Sequence, residues 1–141
     1  MSAAPEPLTA SQPLRLLLLM FNDVELLDFA GPYEVFTTAN RMAQRIAPQA
    51  PLPFELLTAS PDGHPVRARA GLPLQPDHAL ADAPPADWLL VPGGVVDLLL
   101  TDGPLLTELR RRGDGATLTA SICTGAFVLA ATGLLPHGAE V

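Results

Sequence analysis

A single cysteine, Cys123, stands in the whole sequence, so no internal disulfide can form. The three histidines, His64, His78 and His137, lie far from it and from one another. This spacing offers no Cys/His metal cluster, no metal is expected, and the sparse thiol content fits a reducing cytoplasm. Basic residues are also scarce, eight against fifteen acidic ones, for a net charge of −7. The one basic cluster, Arg110 to Arg112, is flanked by Glu108 and Asp114. Such a chain repels a polyanion, so nucleic acid is not an expected partner. No long hydrophobic run is present either. The stretch LRLLLLMF (14–21) is too short to span a bilayer, no basic segment precedes it, and no small-residue cleavage site follows. Membrane association is therefore not expected. There is no glycine-rich dinucleotide fingerprint, because PGG (92–94) lacks its pattern, and no cofactor is expected.

What is abundant is apolar side chain. With 48% hydrophobic and 16% charged residues, the chain can build a core and does not have the composition of a disordered one. Residues 1–13, MSAAPEPLTASQP, have no periodicity and read as a disordered lead-in to one domain over 14–141. Within that domain the pattern alternates. LRLLLLMF reads as a strand buried on both faces, ended by Asn22-Asp23. GPYEVFTTANRMAQRIA reads as an amphipathic helix opened by Gly31-Pro32, with Val35, Phe36, Ala39, Met42, Ala43 and Ile46 at helical spacing. FELLTAS (54–60) is a second strand, and PVRARAGLPLQPD a small ribbon folded about Gly71 and confined to an edge by its prolines. ADWLLV is a third apolar strand, PLLTELRRR a helix with Leu105, Leu106 and Leu109 inward, and ATLTASI a fourth core strand. Short apolar strands alternating with helices predict an α/β fold built of parallel βαβ units.

In such a sheet reactive groups gather at the carboxyl ends of the strands. Three stretches sit there: FNDVELLDFAGP, PGGVV and CTG. Ser121-Ile122-Cys123-Thr124-Gly125 has the small-x-nucleophile-x-Gly form of a strand-to-helix elbow, with cysteine at the nucleophile position. A thiol at a helix N-terminus meets bare N–H groups that favour the thiolate; the alternative is a cysteine packed as a small hydrophobe. Gly93 and Gly94 can expose backbone N–H groups to developing negative charge, or form an ordinary turn. Asp28, between Leu27 and Phe29 at the mouth of the first strand, is placed either to donate a proton or to cap the helix beginning near Pro32. Phe29, Gly94 and Thr124 would bound a small, mostly apolar pocket suited to an uncharged molecule.

The ordered set LLDFAGPYEVF, LLVPGG and SICTGAFVLAATGLL resembles the DJ-1/PfpI superfamily, in the branch holding isonitrile hydratases and the amidase-like sensor domains of AraC-type regulators. The resemblance runs from about Leu14 to Leu135. It implies a flavodoxin-like three-layer sandwich with a mostly parallel sheet, and a homodimer. It also implies roles: Cys123 as nucleophile, Asp28 as the acid contacting it, Thr124 as the residue after the cysteine, and Gly93 and Gly94 as the backbone-donor loop. Two departures stand out. Superfamily proteases carry His directly after the cysteine; here that residue is Thr124, so peptide cleavage is not expected. The sequence GLLPHGAEV stops where family members continue with a further strand and helix, so the last elements of the sandwich are expected to be missing. The function implied is a cysteine-dependent hydratase of the lyase type that adds water to a small isonitrile to give an N-substituted formamide. The alternatives are a non-catalytic ligand-sensing domain and a glyoxalase-like stress-protective enzyme.

Overall fold

The computed structural model describes residues 12–135. The expected lead-in therefore lies, up to residue 11, outside the described residues, as does the chain after Leu135. The strand expected from LRLLLLMF is β1 (Leu14–Leu19), followed by α1 (Leu26–Ile46), β2 (Phe54–Ser60) and a hairpin of β3 (Val66–Arg67) and β4 (Pro73–Leu74). Then come β5 (His78–Ala79), β6 (Trp88–Val91), α2 (Gly103–Gly115), β7 (Leu118–Ser121) and α3 (Gly125–Thr132). Five strands form one sheet in the order β5-β2-β1-β6-β7, every pair parallel. The ribbon expected over 65–77 is its own antiparallel pair, Val66 opposite Leu74.

Strand order explains the layers. Helix α1 leads from β1 to β2 and α2 leads from β6 to β7, in opposite directions across the sheet. Right-handed crossovers place such helices on opposite faces. Accordingly α1 packs on β1 and β2, whereas α2 and α3 pack on each other and on β6. The result is the expected flavodoxin-like helix–sheet–helix sandwich. Central β1 is covered on both sides, and Leu16 to Phe21 are all buried, which is why its sequence is apolar without alternation. Among the described residues no helix is long and apolar enough to cross a membrane.

Four features depart from the sequence reading. Helix α1 starts at Leu26, five residues before Gly31-Pro32, and carries Pro32 inside it. The ring there denies a hydrogen bond only to the Asp28 carbonyl. Tertiary bonds at the helix start, described below, outweigh that local signal. Next, the apolar residues of α1 do not share one face. Phe36 packs inward, against Phe54 and Trp88, while Val35, Met42 and Ile46 are exposed. Third, β5 has only two residues and no alternation to betray it. Last, β7 is an edge strand among the described residues, with Leu118 exposed, and not a core strand.

Polar side chains fix α1 to the sheet. Asn40, about two thirds of the way along the helix, donates from Nδ2 to the Phe54 carbonyl (2.8 Å) and accepts at Oδ1 from the Phe54 N–H (3.0 Å). It thus satisfies both backbone groups where β2 begins. Asn40→Ala leaves both half-buried groups without those partners and is expected to cost about 2 kcal/mol, read as a lower urea midpoint at unchanged slope.

Candidate active site

Strands β1 and β6 are neighbours whose outgoing chains leave for opposite faces, which opens a crevice at their carboxyl ends. Three loops meet there. The chain leaving β1 turns at Asp23, in the left-handed region (φ 68°), and Val24 then bridges Gly94 in antiparallel fashion. The Glu25 N–H donates to the Gly93 carbonyl (2.8 Å) and the Val95 N–H to the Asp23 carbonyl (3.1 Å). The loop after β6 is therefore laced to the first residues of α1, and this lacing sets where the helix begins.

Glycine is required at both positions of the PGG loop. Gly94 has φ 149°, and a Cβ there would lie 2.8 Å from the Glu25 nitrogen and the Val24 Cα. At Gly93 a Cβ would stand 2.8 Å from each of three atoms: Asp28 Oδ2, Thr124 N and Thr124 Oγ1. Residues from two separate segments, the start of α1 and the elbow after β7, thus close around the bare Cα of Gly93. The Gly94 N–H donates to Thr124 Oγ1 (2.9 Å), and that hydroxyl donates in turn to the Gly94 carbonyl (2.9 Å). The Gly94 N–H, expected to be bare, is consequently already engaged, and it positions Thr124.

Asp28 does not cap the helix. The residue before the first turn is Glu25, and Asp28 is the third helical residue. Its Oδ2 is buried and has no hydrogen-bond partner among the described residues. A buried carboxyl oxygen without a partner is costly, and this one lies against Gly93 and Thr124.

Cys123 is exposed, which removes the alternative of a packed core thiol. It has φ 52°, a left-handed conformation that costs a non-glycine residue about 1 kcal/mol. The elbow is held from both sides. The Ile122 N–H donates to the Val91 carbonyl (3.0 Å), the Gly125 N–H to the Ile122 carbonyl (3.0 Å), and the Ala126 N–H to the Cys123 carbonyl (3.2 Å). The N–H groups of Cys123 and Thr124 make no hydrogen bond among the described residues, so both are available at the start of α3. Gly125 is buried, and a Cβ on it would press on the Val91 and Pro92 carbonyls.

The five residues singled out in the sequence fall into one neighbourhood: Asp28, Gly93 and Thr124 converge, Gly94 holds Thr124, and Cys123 precedes it. Phe29 is the exception. It belongs to the core, where it stacks on Tyr33 with ring centroids 6.1 Å apart. Sequence reading missed Val24 and Glu25, whose contribution is backbone pairing and carries no side-chain signal. An exposed thiol beside two unengaged N–H groups is expected to react with iodoacetamide faster than free cysteine at neutral pH. Stopped labelling with mass analysis checks this; labelling that accelerates only on denaturation would overturn it.

The family model of the DJ-1/PfpI family matches residues 14–139. An uncharacterized protein in the cpoL 5′ region of Streptomyces lividans is 38% identical over 87% of this chain and 82% of its own length. The isonitrile hydratase of Pseudomonas putida is 35% identical over 86% of this chain and 49% of its own. The HTH-type transcriptional regulator GbdR of Pseudomonas aeruginosa is 28% identical over 87% and 32%. Among solved structures, a ThiJ/PfpI family protein from Pseudomonas syringae superposes with a TM-score of 0.74 at 24% identity, covering 88% of this chain and 48% of that one. The chain thus spans about half the length of the hydratase and of that structure, and a third of the regulator. With sheet order, elbow and matched span in agreement, the chain belongs to the DJ-1/PfpI family.

Proposed function

We propose that the site hydrates small isonitriles, with Cys123 as nucleophile and Asp28 as proton donor. The observation that carries this reading is the buried Asp28 Oδ2, without a partner among the described residues, which closes on Gly93 together with Thr124, the residue that follows the exposed Cys123. The 35% identity to an isonitrile hydratase supports it. In the first step the Cys123 sulfur bonds to the terminal carbon of R–N≡C while that carbon takes the proton of Asp28, giving the thioimidate R–N=CH–S–Cys123. Water then adds to the same carbon. One of its protons goes to nitrogen and the other returns to Asp28 as the C–S bond breaks, so R–NH–CHO leaves and the thiolate is restored. The free N–H groups of Cys123 and Thr124 lie where they can hold the polar end of substrate or water. Thr124 is fixed through its hydroxyl to the Gly94 N–H and carbonyl. The negative balance of the chain disfavours anionic substrates.

Asp28→Asn tests the assignment, since an amide keeps the shape and delivers no proton. Formamide production from cyclohexyl isocyanide is expected to fall at least about a hundredfold. Stability should stay the same or rise, because an uncharged amide costs less to bury there than a carboxylate without a donor. Full activity would end the acid role. Because the chain covers half of the hydratase, the assay includes a version joined to the remaining half of that relative. The resemblance to GbdR supports a second reading, ligand sensing without turnover. It takes over if the extended protein folds, has a reactive thiol and forms no formamide.

A further inference from the structure

Beyond the carboxyl ends of β1 and β2 lies a cavity of about 350 Å³ that none of Asp28, Gly93, Gly94, Cys123 and Thr124 lines. Sites for small molecules run from about 300 to 1,000 Å³. Phe21 and Val66, both buried, line it from the core, and Val95 (44% exposed) and Leu98 (84%) line it from the loop after β6. One exposed leucine is ordinary. Two apolar side chains left in water beside an apolar hollow form a surface that a ligand can cover. The frame of the hollow is already set. On one side Ser60 Oγ donates to the His64 carbonyl (2.8 Å), and a Cβ on Gly63, at φ 83°, would lie 3.1 Å from Ala79. On the other the Val95 N–H donates to the Asp23 carbonyl (3.1 Å).

The charges around the hollow choose the ligand. Its lining includes two exposed carboxylates, Asp23 and Asp62, and no arginine, and the chain has no lysine. Arg67, next in sequence to Val66, donates instead to the Gly71 carbonyl (2.9 Å). The His64 N–H, donating to Asp62 Oδ1 (3.0 Å), and the His64 imidazole hold the Asp62 carboxyl below the usual carboxylate range. His64 Nδ1 stands 3.1 Å from Asp62 Oδ2. A ring nitrogen facing a carboxylate keeps its proton, which leaves Nε2 as an acceptor. Acceptors and negative charge beside an apolar lining match a cation that donates hydrogen bonds and carries a compact apolar body. The net charge of −7 adds to the attraction. We propose that this hollow binds a small ammonium ion with an apolar body, at a site separate from the thiol and independent of its chemistry. The apolar body lies against Phe21, Val66 and Leu98, and the ammonium meets Asp23 and His64.

Isothermal titration calorimetry of the full chain with 2-phenylethylammonium, 2-phenylethanol and 3-phenylpropanoate tests this. The ammonium is expected to bind with a dissociation constant at or below about 1 mM, at least about fivefold tighter than the alcohol, and the carboxylate not to bind. Asp23→Asn removes the charge and keeps a residue that tolerates the left-handed turn at φ 68°. Leu98→Ser removes an apolar side chain that is already in water. Each should weaken ammonium binding at least about fivefold while circular dichroism and the urea midpoint stay those of the wild type. Asp28→Asn should bind the ammonium as the wild type does, which separates this site from the thiol site. No ammonium binding at about 10 mM, equal affinity for the alcohol, binding of the carboxylate, indifference to Asp23→Asn or Leu98→Ser in folded protein, or loss of binding in Asp28→Asn would overturn the proposal.

Discussion

Cys123→Ala is expected to abolish formamide formation from cyclohexyl isocyanide, a loss of at least about a thousandfold in kcat/KM, while the fold persists. The magnitude follows from the two-step chemistry. Without sulfur no thioimidate forms, and water must attack the isonitrile carbon directly, with only Asp28 and two N–H groups to help. The fold should survive because the thiol is exposed and packs on nothing that alanine would abandon. A companion variant separates chemistry from stability. Cys123→Gly relieves the left-handed backbone at φ 52° and is expected to raise stability by about 1 kcal/mol while remaining inactive. If Cys123→Ala keeps more than a few per cent of wild-type turnover, the cysteine is not the nucleophile, whatever its reactivity toward iodoacetamide.

The largest effect on stability is expected at Gly125. Its missing Cβ lets the start of α3 lie against the Val91 and Pro92 carbonyls, and both obstacles are backbone. A flexible side chain could swing aside; these carbonyls cannot without breaking the Ile122 N–H bond to Val91 that anchors the elbow. Gly125→Ala should therefore cost about 3 kcal/mol or more, and the site should lose its geometry together with its stability. Gly103→Ala serves as the control, since a Cβ there meets nothing within 4 Å and the change should be near neutral. Equal urea midpoints for the two variants would mean that the elbow can shift as a unit, contrary to the close approach described.

Much of the architecture could be read from local pattern because local pattern is what the sheet demands. Leu14 to Leu19 are apolar without alternation since β1 is buried on both faces, and FELLTAS coincides with β2 residue for residue. Leu105 and Leu109 recur at helical spacing because one side of α2 is buried. The turns of the candidate site were legible for a related reason: Cys123 between small residues, and Gly93-Gly94 after a strand, mark turns whose backbone admits few other residues. The start of α1 was not legible. Gly31-Pro32 is the stronger local signal, yet Leu26 opens the helix because Glu25 donates its N–H to Gly93, nearly seventy residues further along the chain. Similarly, Phe36 and Met42 look alike in sequence, and only the placement of β2 and β6 decides that one is core and the other exposed.

The sequence by itself determined the longer strands and the helical segments, though not β5 or the start of α1, and that the main sheet is parallel, because propensity, period and glycine act within a few residues of where they occur. Only the tertiary structure decided that Asp28 Oδ2 lies against Gly93 and Thr124 without a partner among the described residues, that Thr124 takes the Gly94 N–H, and that Val35, Met42 and Ile46 are exposed. Those outcomes depend on which distant segments meet, and a chain encodes such meetings in the sum of its packing and hydrogen bonds, not in any single stretch.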